Sequence, residues 1–173
     1  MADTYVQGCF AFSCLPAEMA LLEEAFQASY GLGEGYNPDT VNPSPEFLAL
    51  FPASAEDRWA GFRDIFSDRD FPSFGAVLTG SNLADPLMVT AVITSEIALD
   101  PEAIAKLIQR CCAATLHTGP IGFEWSVTCS RMRVGEFGGG WCAIFHDRIE
   151  IETTGEALAA AIAKETSDGR THD

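Results

Sequence analysis

The second half of the chain contains the pattern that most limits the possible fold. Apolar, β-branched runs occur in pairs, and each pair is followed by a stretch with helical spacing. "SFGAVLTG" and "LMVTAVITSEIAL" precede a helix with Asp100 as its N-cap, and "GWCAIFH" and "RIEIETT" precede the helix "TGEALAAAIAKE". These pairs predict an α+β fold, with a mostly antiparallel sheet, helices packed on one face, and two divergent β-hairpin-helix units as one way to build it.

The first half predicts a strand over residues 4–13, a helix that begins at Pro16, and a loop from Gly31 to Ser44. The spacing of apolar residues on the predicted helices gives a core prediction. Its members are Trp59, Phe62, Phe66, Ile104, Leu107, Ile108, Leu158 and Ile162. A chain of 173 residues fits one domain, which we place at 1–166, with 167–173 as a flexible C-terminal tail.

The cysteines and the N-terminus indicate the compartment. No apolar run is long enough to span a membrane, and the first residues lack the basic start of a secretory signal. The six cysteines then predict buried thiols in a reducing, cytoplasmic setting. Cys142 and His146 would lie about 13 Å apart on a strand, too far to share one zinc ion. The sequence therefore predicts no metal and no cofactor.

Charge is the strongest signal in the composition. The chain has 25 acidic and 10 basic residues, a formal net charge of −15, and residues 1–57 carry nine carboxylates with no lysine or arginine. Such a surface repels nucleic acid and anionic membranes, but it suits a basic partner. The same charge also fits a surface that merely keeps a protein in solution, and the sequence leaves that alternative open.

Two groups of acidic residues are candidates for contact with a partner. Glu150 and Glu152 alternate with Ile149 and Ile151, so they share one face of a strand, about 6.6 Å apart. That spacing is comparable to successive phosphates on one nucleic-acid strand, and it could fill the phosphate groove of a basic protein. The first helix adds the second group, Glu18, Glu23 and Glu24.

The stretch "CSRMRVGEFGGGWCAIFHD", residues 129–147, offers a different kind of site. Its glycines join two strands, so it lacks the strand-to-helix context of a phosphate-binding loop. The three glycines at 138–140 permit positive φ or a bulge before Trp141. Arg131 and Arg133 could project together from the loop base and, with Trp141, shape a surface that contacts a partner, while Trp141 anchors the loop base on the core. The alternative is that the arginines pair with carboxylates, namely Glu124, Glu136 or Asp147.

An enzymatic or anion-binding site is the alternative for the same stretch. Arg131 and Arg133 could hold a carboxylate or phosphate. Cys129, beside these arginines, could act as a nucleophile with His146 on the next strand as its base. No third member and no oxyanion hole accompany this pair, so the sequence favours a non-enzymatic protein.

The segment "EWSVTCSRMRVGEFGGGWCAI" also carries a resemblance. Its pattern "TCS…R…EFGGG", from Thr128 to Gly140, resembles a motif of small uncharacterised proteins carried on bacterial plasmids and phages. The resemblance covers about the last third of the chain and implies an accessory gene of a mobile element, a context that includes inhibitors of host defence. The prediction is an acidic binding protein that engages a basic, nucleic-acid-handling partner.

Overall fold

A computed structural model describes residues 2–33, 42–81 and 87–168, with side chains up to Lys164. The strands are β1 (Thr4–Cys14), β2 (Val77–Ser81), β3 (Val89–Ser95), β4 (Ile121–Cys129), β5 (Gly138–Ile144) and β6 (Ile149–Thr153). The helices are α1 (Pro16–Gly33), α2 (Pro45–Leu50), α3 (Ala60–Arg63), α4 (Pro101–Cys111), α5 (Ala113–Thr118) and α6 (Thr154–Asp168). Most of the predicted loop between Gly31 and Ser44 and most of the predicted tail lie outside the described residues, and the first two tail residues end α6.

The six strands form one sheet in the order β2-β3-β1-β4-β5-β6. Every neighbouring pair of strands is antiparallel. β1 holds the two halves together, because it pairs with β3 through residues 8–14 and with β4 through residues 4–7. This topology confirms the predicted α+β class.

Two helices cover one face of this sheet. α1 packs on β2 and β3, α4 packs on β5 and β6, and the two helices contact each other. Asp100 begins α4, because its carboxylate accepts a hydrogen bond from the backbone N–H of Ala103 at 3.0 Å and Pro101 follows at the first turn. The apolar stripe predicted for α4 is buried, including Ile104, Leu107 and Ile108.

An aromatic cluster extends the core beneath α2 and α3. Trp59 and Phe62 are buried and pack edge to face, with ring centroids 6.1 Å apart. Phe66 is also buried, so all three aromatic residues predicted for the core lie there. α3 spans four residues, and a turn precedes it in which the Ser54 hydroxyl accepts hydrogen bonds from the N–H groups of Glu56 and Asp57.

The opposite face of the sheet, which we call the open face, has exposed or half-buried side chains along most of its length. Side chains alternate between the two faces, so the register places every second residue of each strand there. Small and polar residues predominate on this face. The exposed ones include Cys9, Ala11, Ser13, Thr79, Gly122, Glu124, Ser126, Trp141 and Glu150.

The core prediction is wrong for α6. Both hairpin-helix units are present, as β2-β3-α4 and β5-β6-α6, but every described side chain of α6 is exposed. Leu158 is 62% exposed and Ile162 is 59% exposed. The two helices differ in their neighbours: α6 follows β6 without a loop and contacts β5 and β6, whereas α4 contacts α1 and α5 in addition to these strands. In the described ranges, no helix is both long enough and apolar enough to cross a membrane.

Candidate functional site

The open face carries an exposed tryptophan between two glutamates. Glu124 on β4 lies directly opposite Trp141 on β5, and Trp141 lies directly opposite Glu152 on β6. Directly opposed residues have Cβ atoms about 4.5–5.5 Å apart, so a glutamate side chain begins on either side of the Trp141 side chain. The Trp141 side chain remains 40% exposed, which is unusual for the largest apolar side chain. We call these three residues the tryptophan row.

The residues next to Trp141 along β5, and those that pair with them on β4, have small side chains. The neighbours of Trp141 on the same face of β5 are Gly139 and Ala143, which pair across to Ser126 and Gly122 of β4. None of these side chains is larger than that of serine. The indole is therefore bordered along β5 by small residues, and 40% of the Trp141 surface remains open to solvent.

A second aromatic group with carboxylates lies farther along the same two strands. The Arg148 guanidinium lies 3.8 Å from the ring centroid of Phe145, and its Nε donates to Glu150 Oε1 at 2.7 Å. Its Nη1 donates to Asp147 Oδ1 at 3.3 Å. The hydrogen bond to Glu150 is the main reason that the pKa of Arg148 is raised. Glu150 is exposed as predicted, but this arginine partly compensates its charge.

Glu18 does not belong to the surface, and its predicted contact with a partner must be corrected. Its side chain is buried and accepts hydrogen bonds from the N–H of Leu15 and the N–H of Thr115, each at 3.0 Å, and from the Thr115 hydroxyl. The carboxylate therefore closes the start of α1 and ties it to α5. A sequence signal existed, because a glutamate three residues after the N-cap commonly bonds back to the N-cap N–H.

The other two acidic residues of α1 differ from each other. Glu24 is half-buried and accepts hydrogen bonds from the N–H and the hydroxyl of Ser44 at 2.6 and 2.7 Å. Ser44 in turn caps α2 by accepting from the N–H of Phe47 at 3.1 Å. Glu24 is thus occupied within the protein, while Glu23 is exposed. Of the predicted acidic group on α1, Glu23 is the member that can meet a partner freely.

The loop between β4 and β5, residues 130–137, protrudes from the sheet. Met132 is 92% exposed and Val134 is fully exposed, and Arg131 and Arg133 are exposed beside them. Its two ends are anchored to the N-terminus: the Ser130 N–H donates to the Asp3 carbonyl at 2.9 Å, and the Thr4 hydroxyl donates to Glu136 at 3.0 Å. Within the described residues, neither arginine forms an ion pair.

The three glycines before Trp141 have a packing role. They are the first residues of β5, and the positive φ in this region is at Gly135, with a value of 79°. A Cβ at Gly140 would lie 2.3 Å from Cζ2 of Trp125, and a Cβ at Gly138 would lie 2.9 Å from Oγ1 of Thr154. The expectation of positive φ at 138–140 is therefore corrected: these positions are small because Trp125 and the start of α6 occupy the space.

The structure separates the residues of the alternative enzymatic site. Residue 121 pairs with 144 at one end of the β4-β5 hairpin, and residue 127 pairs with 138 at the other. Cys129 lies about 26 Å from Ile121 at about 3.3 Å per residue, and His146 lies beyond Ile144. His146 instead packs on His117, with ring centroids 5.2 Å apart. No catalytic pair of Cys129 and His146 is assembled.

The cysteines are all free thiols, and four of them are buried. Burial raises the pKa of Cys111 and the pKa of Cys142 to about 12 in each case, so both remain protonated at neutral pH. Cys14 and Cys112 share a hydrogen bond that lowers the pKa of Cys14 and raises the pKa of Cys112. In the part of the chain that the structure describes, no three His, Cys, Asp or Glu side chains are grouped to hold a metal ion.

A cleft on the β2-β3 side of the molecule was not foreseen from the sequence. It has a volume of about 850 Å³ and is lined mainly by apolar side chains, among them Phe26, Phe71 and Phe74. Tyr30 and Ile97 also line it and are 68% and 63% exposed. These residues are scattered over α1, the segment before β2 and the end of β3, so no local motif marks the cleft in the sequence.

Comparison with known proteins gives no relative. No protein-family model matches the chain, and searches of curated proteins and of solved structures found no significant match.

Proposed function

We propose that this chain is an acidic, non-enzymatic binding protein whose open face engages a basic protein that handles nucleic acid. One observation carries the proposal: the open face carries Glu124 and Glu150, which are exposed, and Glu152, which is half-buried, among small side chains, in a chain with a net charge of −15. A carboxylate-bearing sheet of this kind complements the phosphate-binding surface of a basic protein, both in sign and in spacing.

The geometry weakens the competing proposal of an enzyme at residues 129–147. Cys129 and His146 lie at opposite ends of the hairpin, and the exposed arginines lie on a loop without a helix N-terminus. The resemblance to proteins of plasmids and phages suggests which partner to test first, namely a host-defence protein that binds nucleic acid. The chain would then inhibit it by occupying its phosphate groove as a nucleic-acid mimic.

The test is capture of partners with two charge-reversed variants. In the first, Glu150→Lys and Glu152→Lys reverse charges on the open face. In the matched control, Glu56→Lys and Asp70→Lys reverse two exposed charges elsewhere, so the net charge changes equally. We expect wild type and control to retain a basic nucleic-acid-binding protein, and the open-face variant to lose it. Glu150→Lys also removes the ion pair with Arg148, but an exposed pair contributes only about 1 kcal/mol or less, so both variants should remain folded.

Salt and competitor DNA complete the test. Affinity for the captured partner should fall steeply as salt rises through about 0.15 M, where exposed charges are screened beyond about 8 Å. Duplex DNA should displace the partner, and the isolated chain should not bind duplex DNA itself. Equal retention by both variants, or affinity that does not depend on salt, would show that the acidic surface serves solubility.

A further inference from the structure

The site around Phe145 holds the guanidinium of Arg148, whereas the tryptophan row holds no cation from the described part of the chain. At the neighbouring site, the ring of Phe145 and the carboxylates of Asp147 and Glu150 hold the guanidinium of Arg148. The tryptophan row presents the same kinds of groups, a larger aromatic ring and two carboxylates. In the described part of the chain, no arginine or lysine lies over Trp141, and neither flanking glutamate forms an ion pair.

We propose that Glu124, Trp141 and Glu152 form a binding site for the guanidinium of an arginine side chain on a basic protein partner. This inference rests on the proposed function and identifies the contact through which the partner would be recognised. A guanidinium can stack on the exposed indole while the N–H groups at its edge donate to the carboxylates on either side. The site carries two negative charges and the ligand one positive charge, so charge complementarity selects a cation.

The geometry favours arginine over lysine. A planar guanidinium can use its face for the indole and its edge for two carboxylates at the same time. An ammonium group is a compact point charge that cannot satisfy both contacts in this way. The Phe145 site supports this choice, because there the chain itself uses an arginine in that arrangement, with the ring 3.8 Å away and the nearer carboxylate oxygen 2.7 Å away.

The sheet provides the room that an arriving side chain needs. On β4 and β5 the other neighbours of Trp141 on the open face are Gly122, Ser126, Gly139 and Ala143, so on this side a guanidinium can reach the ring without displacing a large side chain. The row is also held in place by the backbone, since Trp141 lies on a strand that is paired on both sides. The partner's arginine would therefore meet a site that needs little rearrangement.

The test uses two peptide probes, capped nona-arginine and capped nona-lysine, with the full-length chain at about 0.15 M salt. Nuclear magnetic resonance follows the indole N–H of Trp141, identified by its loss in Trp141→Leu, a change that keeps an apolar side chain on the strand. We expect the arginine peptide to shift this resonance and to bind about tenfold more tightly than the lysine peptide. Trp141→Leu should remove that preference, and Trp141→Phe, which keeps an aromatic ring, should reduce it in part.

The carboxylates are tested with neutral replacements of similar shape. Glu124→Gln with Glu152→Gln should weaken binding of the arginine peptide by about tenfold, since two charge-assisted hydrogen bonds are lost. The control Glu56→Gln with Asp70→Asn changes the net charge equally and should alter affinity by less than about twofold. Unfolding curves of each variant confirm that the fold is intact.

The outcomes separate this inference from the proposed function. Equal affinity for both peptides, or a preference for arginine that survives Trp141→Leu, would overturn the guanidinium site. The electrostatic proposal would still stand if capture of the partner depended on salt and on Glu150 and Glu152. A preference for arginine that requires Trp141 supports the site, even where the captured partner ignores both charge reversals and the proposed function fails.

Discussion

α4 and α6 have similar sequences at their starts and very different surroundings. Both follow a β-hairpin and both have a capped first turn. Asp100 caps α4. At α6 the Thr153 hydroxyl accepts a hydrogen bond from the N–H of Glu156 at 3.2 Å, and the Glu156 carboxylate accepts one from the N–H of Thr153 at 2.8 Å. α4 buries six of its residues, whereas all described side chains of α6 are exposed. The comparison shows that an apolar stripe predicts a helix and its inward side but not what, if anything, covers that side.

The location of each helix explains the difference. α4 lies beside α1 over the sheet, so its apolar residues meet β5, β6 and the neighbouring helix. α6 begins at the residue after β6, the last strand of the sheet, and its main contacts are with β5 and β6, without a helix beside it as α1 lies beside α4. The caps stabilise both helices locally, and the hydrogen bonds from Thr153 lower the pKa of Glu156. Of the two helices, only α4 has side chains buried against the rest of the protein, within the described residues.

The largest expected effect is on α4. Leu107 is fully buried, so Leu107→Ala should leave a cavity and lower the free energy of unfolding by about 2–5 kcal/mol. Chemical denaturation followed by circular dichroism measures this loss. A change below about 1 kcal/mol would mean that α4 is not packed as described.

A medium effect is expected at the N-cap of α4. Asp100→Ala removes the carboxylate that accepts from the N–H of Ala103, and it should lower the free energy of unfolding by about 1 kcal/mol. Asp100→Asn is the matched control, because an asparagine side chain can still accept this hydrogen bond. Equal losses in the two variants would assign the effect to charge and not to the cap.

The smallest effect is expected on α6. Leu158 is 62% exposed, so Leu158→Ala should change the free energy of unfolding by about 0.5 kcal/mol or less. The same denaturation experiment used for Leu107→Ala makes the two helices directly comparable. If Leu158→Ala lowered the free energy of unfolding as much as Leu107→Ala, then Leu158 would be buried in solution and the original core prediction for this residue would be correct.

The sequence predicted the fold better than the site. The α+β class followed from two periodicities, alternation in strands and helical spacing in α4, and six core residues were confirmed: Trp59, Phe62, Phe66, Ile104, Leu107 and Ile108. Leu158 and Ile162 were missed because periodicity does not report which element lies opposite a helix.

The acidic residues show the same limit. Alternation predicted that Glu152 would face away from the core, because direction is a local property of a strand. The position of Glu124 beside Trp141 depends on the register between β4 and β5, which sequence spacing alone did not determine. The burial of Glu18 depends on α5, which is distant in sequence, since Thr115 donates two hydrogen bonds to it.

The position of β6 at the end of the sheet has a consequence for how the molecule behaves in concentrated solution. A terminal strand presents unpaired backbone groups, which can template pairing with another chain and lead to aggregation. Glu150 and Glu152 place charge on this strand and Arg148 places charge directly before it, and such charges discourage a second copy from adding to the sheet. The carboxylates proposed for recognition would thus also keep the protein monodisperse. Lysine at positions 150 and 152 would still place charge on the edge strand and oppose pairing with a second copy. Valine at both positions would remove this charge and favour intermolecular strand pairing.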